Sequence, residues 1–220
     1  MSTTLTPGDA VRIVATRYPK LDASGVAARF CDEVQAMIWH RWPWRQSIAE
    51  LPPVAMLLEE PDYGPPTLAV PNDFYGLYRA NLRNSSQQVV PLVVVPELAI
   101  STGTGIPSSV AYQPEKRSFR FHPRPSITSP EWWMEGSYKK TPTKITNTNL
   151  NSYILPFDDL YFEVYRRGLI WKVKDEILGD PGAKEDLALF LMLIDKMAVA
   201  EGLQAGVVVV APAEGLELGG

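Results

Sequence analysis

The sequence predicts an α+β fold, in which helices from both ends of the chain form a bundle and the middle forms a small, mostly antiparallel β domain. Two observations predict this division. Most of the 20 prolines lie between Trp42 and Pro156, where they exclude long helices because proline lacks an N–H donor. Outside this stretch apolar residues recur at helical spacing, and inside it short β-branched and aromatic runs alternate with turn residues.

Composition is typical of a folded globular protein. Of the 220 residues 45% are hydrophobic, which is enough for one sizeable core or two small ones. The formal net charge of −4 argues against a protein that coats nucleic acid. With one cysteine, Cys31, the chain cannot form an internal disulfide, which fits a reducing cytosol. We expect neither a signal peptide nor a membrane partner, because the first nine residues lack leader features and no apolar run approaches the ~20 residues that span a bilayer.

Four helices are predicted at the two ends of the chain. The first begins at Thr6 and Pro7, a good N-cap and first-turn pair, and the second is expected to be capped by Asp22. A break with glycine and proline at 179–182 separates the last two helices. The predicted helices cover 7–18, 22–41, 157–178 and 183–203. The predicted domains are a helical bundle from 1–47 and 157–203, a β-rich domain with an extended linker over 48–156, and a C-terminal tail over 204–220.

The middle of the chain shows strands and turns. A hairpin tip is predicted at 84–86, followed by a returning strand over 89–95 in which Pro91 indicates an edge or a bulge. A second hairpin joins 110–112 to 118–123, and a last strand covers 132–138.

No catalytic chemistry is predicted. His40, His122 and Cys31 lack the spacing of zinc ligands, and the sequence has neither a phosphate-binding loop nor a nucleophile elbow. The acidic pairs at 59–60 and 158–159 could form a glycosidase dyad, but a solvated loop and a helix start are the simpler interpretations. We therefore predict no catalytic residue, no cofactor and no metal site.

Four segments, each weak by itself, occur in an informative order. The 34–45 segment ends a helix in tryptophan and arginine, and 68–74 is similar to a Leu-Pro-x-Asp-Phe strand entry with Val70 where leucine is usual. The 105–125 segment is similar to a Gly-x-Pro … Tyr … Leu-x-Pro-x-Pro pattern, and 138–156 to a Tyr-x-x-x-Pro-x-x-Leu-Thr linker. Over about 30–210 the chain thus resembles the head-to-tail adaptor, or tail-tubular-type, proteins of short-tailed bacteriophages.

The resemblance implies a structural virion protein of the tail or neck, made in the host cytoplasm. It implies a ring, commonly of twelve copies, that docks under the portal protein, meets a tail or nozzle protein and keeps a channel for DNA. No catalytic residue is carried over. The proline-rich stretch 49–66 and the acidic tail after Val210 depart from the family pattern.

A candidate assembly interface follows from apolar side chains that one subunit leaves uncovered. The 157–178 helix is apolar around its whole axis, so a neighbouring subunit is a natural cover. Trp132 and Trp133 point to opposite faces of a strand, where a subunit interface and a covering helix are equally good interpretations. The valine run 207–210 is expected to add as a strand to a neighbouring sheet, or to complete this chain's own sheet. The candidate residues are Trp132, Trp133, Tyr161, Tyr165, Trp171, Val207, Val208, Val209 and Val210.

A candidate basic face lies in residues 115–144. This stretch has seven basic and three acidic residues, a net charge of +4. The face is expected to meet an acidic partner subunit, or DNA non-specifically in the channel, and a solvated strand face is an equally good interpretation. The candidate residues are Lys116, Arg117, Arg120, Arg124, Lys139, Lys140 and Lys144.

Two other functions fit parts of the sequence. Trp132, Trp133 and Tyr112 could stack on sugars in a carbohydrate-binding or adhesion module of a virion, although this leaves the flanking helices without a role. An aromatic cleft with aspartate or glutamate could serve a hydrolase. The size of the purified protein distinguishes these functions. The adaptor is expected as a ring or a particle-bound subunit, and the binding module as a soluble monomer with glycan affinity.

Overall fold

The computed structural model describes residues 5–23, 25–55, 62–63, 70–99, 103–126, 132–157 and 161–203. These residues divide into two compact units, a helical unit over 5–46 and 142–203 and a strand unit over 47–141. Helices lie at both ends of the chain and strands in the middle, which confirms the predicted α+β fold.

The described part of the helical unit contains five α-helices, and the fourth continues directly into a π-helical turn. The helices are α1 Pro7–Arg17, α2 Lys20–Ala23, α3 Ala27–Arg41, α4 Phe162–Lys172 and α5 Ala183–Ala200, with the π-helical turn at Val173–Leu178.

A capping box sets the start of α1. The Asp9 N–H donates to the Thr6 hydroxyl (3.2 Å), and the Thr6 N–H donates to the Asp9 carboxylate (2.9 Å). Pro7 occupies the first helical position, where the missing N–H leaves no hydrogen bond unmade. The predicted first helix is therefore confirmed.

The predicted single helix over 22–41 is wrong, because the structure has two helices there. Gly25 adopts a φ of +68°, a left-handed conformation that a right-handed helix cannot contain. The chain therefore leaves α2 before Gly25 and starts α3 at Ala27. Asp22 lies inside α2, so it is not the N-cap residue of the longer helix that was predicted.

Helix α4 lies at the centre of the helical unit, where α1, α3 and α5 all pack against it. Gly168 permits the close approach, because a Cβ at this position would lie 2.6 Å from Val34 Cγ1 and 2.9 Å from Phe190 Cε2. The neighbouring Leu169 is fully buried. Helices of the same chain thus cover α4 on several sides.

The extended linker before α4 is fixed to the helices. The Ile145 N–H donates to Asp32 Oδ1 (2.7 Å), and Gln35 Nε2 donates to the Thr143 carbonyl (2.9 Å). Ile145 itself is buried in the helical core. Residues 142–156 therefore belong to the helical unit, whereas the sequence grouped them with the strands.

The strand unit contains one seven-stranded sheet and one two-stranded ladder among its described residues. The order of the sheet is β1-β9-β3-β4-β6-β7-β2, antiparallel except for the β4–β6 pair, and β5 pairs parallel with β8. Both predicted hairpins and the predicted last strand are present. The strands are β1 Ile48–Ala55, β2 Asp62–Tyr63, β3 Phe74–Asn84, β4 Val89–Val94, β5 Thr104–Gly105, β6 Ser109–Gln113, β7 Ser118–His122, β8 Arg124–Pro125 and β9 Trp132–Lys140.

The prolines of β1 and β4 lie where one side of the strand lacks a hydrogen-bonding neighbour. The pair at 52–53 lies in the edge strand β1, inside a register shift between Leu51 and Val54. In β4 the N–H of Val93 donates towards β6, so alternate residues point their N–H groups to that side. Pro91 lies two residues earlier, before the parallel pairing begins at Val93. The predicted edge is met only on the side towards β6, since β4 lies inside the sheet and Pro91 is in register with Asn81 of β3.

The strand unit has its own core on one face of the curled sheet. Twelve buried residues form it: Leu51, Val54, Val70, Leu77, Ala80, Leu82, Leu92, Val110, Phe119, Phe121, Met134 and Tyr138. The alternation along each strand leaves the opposite face of the sheet more open to solvent.

Candidate functional site

Two predicted interface residues are buried in their own subunit. Tyr165 is 1% exposed and Trp171 is 9% exposed, and both belong to the core of the helical unit. The Tyr165 hydroxyl donates to the Cys31 carbonyl (2.9 Å), and the Trp171 ring stacks on Phe190 at a centroid distance of 6.2 Å. Assigning them to a subunit interface was wrong, because α1, α3 and α5 supply the cover that the sequence attributed to a neighbour.

The paired tryptophans of β9 have different environments. Trp132 is half-buried against the strand core. The Trp133 Nε1 donates to Glu135 Oε1 (2.7 Å), and Arg83 Nε lies 2.7 Å from the other carboxylate oxygen. The Trp133 hydrogen bond and the Arg83 guanidinium lower the pKa of Glu135. Trp133 and Tyr161 keep partly exposed surface, and their assembly role stays a prediction.

One member of the predicted basic face is buried, and another belongs to a different unit from the rest. Lys139 has no exposed area, and burial lowers the pKa of this side chain to about 8. Lys144 belongs to the helical unit, while the other six residues belong to the strand unit. Arg117 and Arg120 donate to backbone carbonyls of the strand unit at 2.9 and 3.1 Å. The structure therefore removes Lys139 from an exposed face, and a shared role of the other members stays a prediction.

The aromatic residues proposed as a sugar-stacking platform are not assembled on one surface. Tyr112 packs against Phe74 and Phe119, with centroid distances of 4.5 and 5.5 Å, next to the strand core. Trp132 also faces that core, while Trp133 points to the other face of β9. The structure gives no support to the adhesion-module interpretation.

Reactive groups are sparse in the described part of the chain. Cys31 is buried, and desolvation raises the pKa of its thiol to about 12. The described residues contain no group of three side chains suited to hold a metal ion. In the same residues no helix has the length and apolar character to cross a membrane. The acidic pairs at 59–60 and 158–159 and the valine run 207–210 lie outside the described residues.

Helix α5 presents an apolar surface that the candidate residues did not include. Its inner face carries the buried Phe190, Ile194 and Met197. On its outer face Met192 is 43% exposed and Val199 is 73% exposed. With Ala188 these residues line an open groove of ≈ 560 Å³. We call Ala188, Met192 and Val199 the α5 stripe. The sequence signal was present, since the last helix is apolar on more than one face.

A hydrogen-bonded lock positions α5 at the end of α3. Arg41 binds Asp195 through two parallel contacts, Nε to Oδ1 and Nη2 to Oδ2, each 2.7 Å. The Trp42 indole donates to the same carboxylate (2.8 Å). The Arg41 and Trp42 hydrogen bonds lower the pKa of Asp195. Because this bidentate arrangement fixes orientation as well as distance, α5 holds its stripe at a defined angle to the bundle.

Strand β4 presents a second exposed apolar surface. Val89 is 47% exposed and Val93 is 61% exposed, and Pro91 between them is also exposed. Across the sheet Val89 pairs with Arg83 and Val93 with Ser109, so polar residues flank the strip. An outward sheet face is normally polar throughout, which makes this strip a candidate contact surface.

A family model described as SU10 adaptor protein matches residues 7–210, nearly the whole chain. A search of curated proteins found no match. The chain therefore belongs to the SU10 adaptor protein family, a family of phage head-tail adaptors.

Proposed function

We propose that this protein is a non-enzymatic subunit that forms a ring of twelve copies between the portal protein and the tail of a phage particle. The ring docks under the portal, holds a tail or nozzle protein on its other side and leaves a central channel for DNA. The observation that carries this proposal is membership of the adaptor family over residues 7–210. The protein is made in the host cytoplasm and resides in the neck or tail of the virion.

Salt bridges connect the helices of the helical unit, as a connecting subunit requires. Arg29 contacts Glu33 (3.0 Å) and Glu176 (2.7 Å), and Lys172 contacts both of the same carboxylates. This four-residue network joins α3 to the end of α4 and the π-helical turn. A network of charges with fixed geometry contributes more than isolated surface pairs do. This network stabilises the geometry of the helical unit, which supports a role as a subunit that connects larger partners.

The tail is proposed as an assembly segment. Helix α5 is closed by hydrogen bonds from Gly202 N–H to the Val199 carbonyl (3.0 Å) and from Leu203 N–H to the Ala198 carbonyl (2.9 Å). The helix end is complete at Leu203, and the valine run 207–210 beyond it is proposed to pair with a neighbouring sheet. A chain truncated after Leu203 should fold with near-native stability and fail to assemble on the portal. Unfolding of the truncated chain would place the tail in the subunit core instead.

We expect no turnover by the purified protein. Peptidoglycan and ester hydrolysis should stay at the background rate of the buffer. Activity that disappears on Glu59→Gln or Asp158→Asn would contradict the non-enzymatic part of the proposal.

The mass of the assembled protein tests whether it forms a ring. Native mass spectrometry and sizing of the purified protein, alone and with its portal protein, should give a closed oligomer or a stable complex with many copies per portal. The matched control is a portal incubated with an unrelated acidic protein of the same size. A chain that stays monomeric in both conditions and is absent from mature particles would overturn the proposal.

A further inference from the structure

We infer that the valine run 207–210 of one copy adds as a strand to the outer edge of β1 in the next copy. The inference rests on the proposed ring and names the acceptor of each subunit's tail. Its starting observation is the order of the sheet, in which β1 pairs with β9 on one side. Among the described residues no strand pairs with the other side of β1, so alternate backbone N–H and C=O groups point to an edge that can accept a strand.

The two halves of β1 differ in how they resist an added strand. The second half contains Pro52 and Pro53 inside a register shift, which removes two backbone donors and bends the strand. The first half, 48–51, pairs with β9 without a shift and has neither proline nor lysine, the residues that commonly protect an edge. It therefore offers four regular residues for pairing, whereas β2 at the other edge of the sheet has two described residues.

The side chains of this half suit an apolar neighbour. Leu51 is 5% exposed, and Ala49 packs against the strand core, so one face of 48–51 belongs to that core. Glu50 is exposed, as the alternation along a strand requires. A valine strand added here would place alternate side chains beside Ala49 and Leu51 and would extend the core of the accepting copy.

The valine run matches this edge in length and character. Its four β-branched residues have high strand propensity, and residues 204–213 contain no charged residue. Pro212 follows the run as Pro52 follows the acceptor half, and proline cannot continue the pairing in either strand. The sequence therefore limits both strands to a short ladder of the same length.

The end of α5 determines which copy the run can reach. The helix ends at Gly202, whose φ of +73° lets the Leu203 N–H donate to the Ala198 carbonyl and turns the chain away from the helix axis. Three residues separate Leu203 from the run, so Val207 lies within about 14 Å of Leu203. The copy that accepts the run therefore also meets the end of α5, where Val199 is 73% exposed.

A closed ring needs a head-to-tail contact between two different patches of each copy. The valine run and the edge of β1 are such a pair. Each copy can donate its run to one neighbour and accept the run of the other. Backbone hydrogen bonds supply the contact in this mode of recognition, and the alternate side chains set its register.

Single-cysteine variants test this contact. Cys31 is buried and its thiol pKa is raised to about 12, so the native chain should form few disulfides under mild oxidation. Glu50→Cys and Val208→Cys proteins, mixed and assembled into rings, should give covalent dimers, while each variant alone should not. The double variant Glu50→Cys/Val208→Cys should give a ladder of linked chains that ends at the copy number of the ring.

A matched control uses Ala55→Cys in place of Glu50→Cys. Ala55 is exposed on the same strand but lies beyond the two prolines, about 16 Å from Glu50 at 3.3 Å per residue. The Glu50 pair should link about tenfold more efficiently, since fixed proximity raises the effective concentration of the thiols.

Three outcomes would count against the account. If the wild-type chain forms rings but the Glu50 pair links no better than the Ala55 pair, the inference fails and the ring stands. A disulfide within unassembled monomers of the double variant would show that the run completes its own sheet, which also overturns the inference. If the wild-type chain forms no ring, the proposed function fails first and the inference fails with it.

A second pair of variants tests backbone pairing itself. Val208→Pro removes an N–H from the run, whereas Val208→Thr keeps both the N–H and the β-branched shape. Native mass spectrometry should show about tenfold less ring for Val208→Pro and nearly normal assembly for Val208→Thr. Equal assembly of the two variants, whether normal or reduced, would exclude strand addition by the run.

Discussion

Helices α4 and α5 look alike in sequence and have different surroundings in the structure. Both carry apolar residues on more than one face. In α4 these residues are covered within the chain, and Tyr165 and Leu169 retain at most 1% of their exposure. In α5 one face is buried while Val199 on the other is 73% exposed. Apolar residues around a helix axis therefore predict that it has several neighbours, and the fold decides whether those neighbours belong to the same chain.

The largest expected effect comes from truncating the core of α4. Leu169→Ala removes a fully buried side chain from the contact of α4 with its neighbours, and should lower the free energy of unfolding by about 2–5 kcal/mol. Urea unfolding followed by circular dichroism measures the loss. A loss below 1 kcal/mol, on the order of a surface substitution, would show that α4 is not the central helix.

Overpacking the same helix should also destabilise the chain. In Gly168→Ala the new methyl group would lie 2.6 Å from Val34 Cγ1 and 2.9 Å from Phe190 Cε2, so the helices must move apart. We expect a loss of about 1–3 kcal/mol, although alanine is the better helix former by about 1 kcal/mol. The double variant Gly168→Ala/Val34→Ala is the control for crowding, because it empties the space that the methyl group enters. A more stable Gly168→Ala protein would contradict the close packing.

The lock on α5 should have a smaller and pH-dependent effect. Asp195→Asn loses the charge bound by Arg41, and we expect a cost of about 0.5–1 kcal/mol at neutral pH, since the pair is partly exposed. The folded pKa of Asp195 is lowered, so its contribution is present above the unfolded pKa and is lost as the pH falls through the folded value. The difference between wild type and variant, measured by thermal unfolding, should therefore shrink below about pH 4. A difference that stays constant from pH 7 to pH 3 would rule out the charge as its cause.

The smallest effect on stability, and the clearest on assembly, should come from the α5 stripe. Met192→Ser and Val199→Ser should change the free energy of unfolding by no more than about 0.5 kcal/mol, because both side chains are exposed in the subunit. The same variants should reduce ring formation measured by native mass spectrometry. Ile154→Ser is a matched control, since Ile154 is 55% exposed but lies outside α5. Loss of subunit stability with normal assembly would show that the stripe contributes to the fold of the chain.

The sequence predicts local elements well where one short signal decides the outcome. Thr6 and Pro7 fix the start of α1 through a capping box. The sequence predicts less where the structure depends on a single backbone angle or on a partner that is distant along the chain. Gly25 divides the second helix through its positive φ, and Asp32 ties the linker to α3 across more than 100 residues of chain.

The candidate site was only partly predictable for the same reason. Periodicity identifies the faces of a helix but not the partner of each face, so Tyr165 and Trp171 were assigned to a neighbour although their partners are in the chain. Sequence proximity likewise grouped Lys139 and Lys144, which the fold places in different units.

Imaging of mature particles tests the central claim most directly. Cryo-electron microscopy of the neck should show many copies of this two-unit chain in a ring between the portal and the tail, with a channel through the centre. Density for the chain in a fibre or on the head surface, or its absence from the neck, would contradict the assignment as a head-to-tail adaptor.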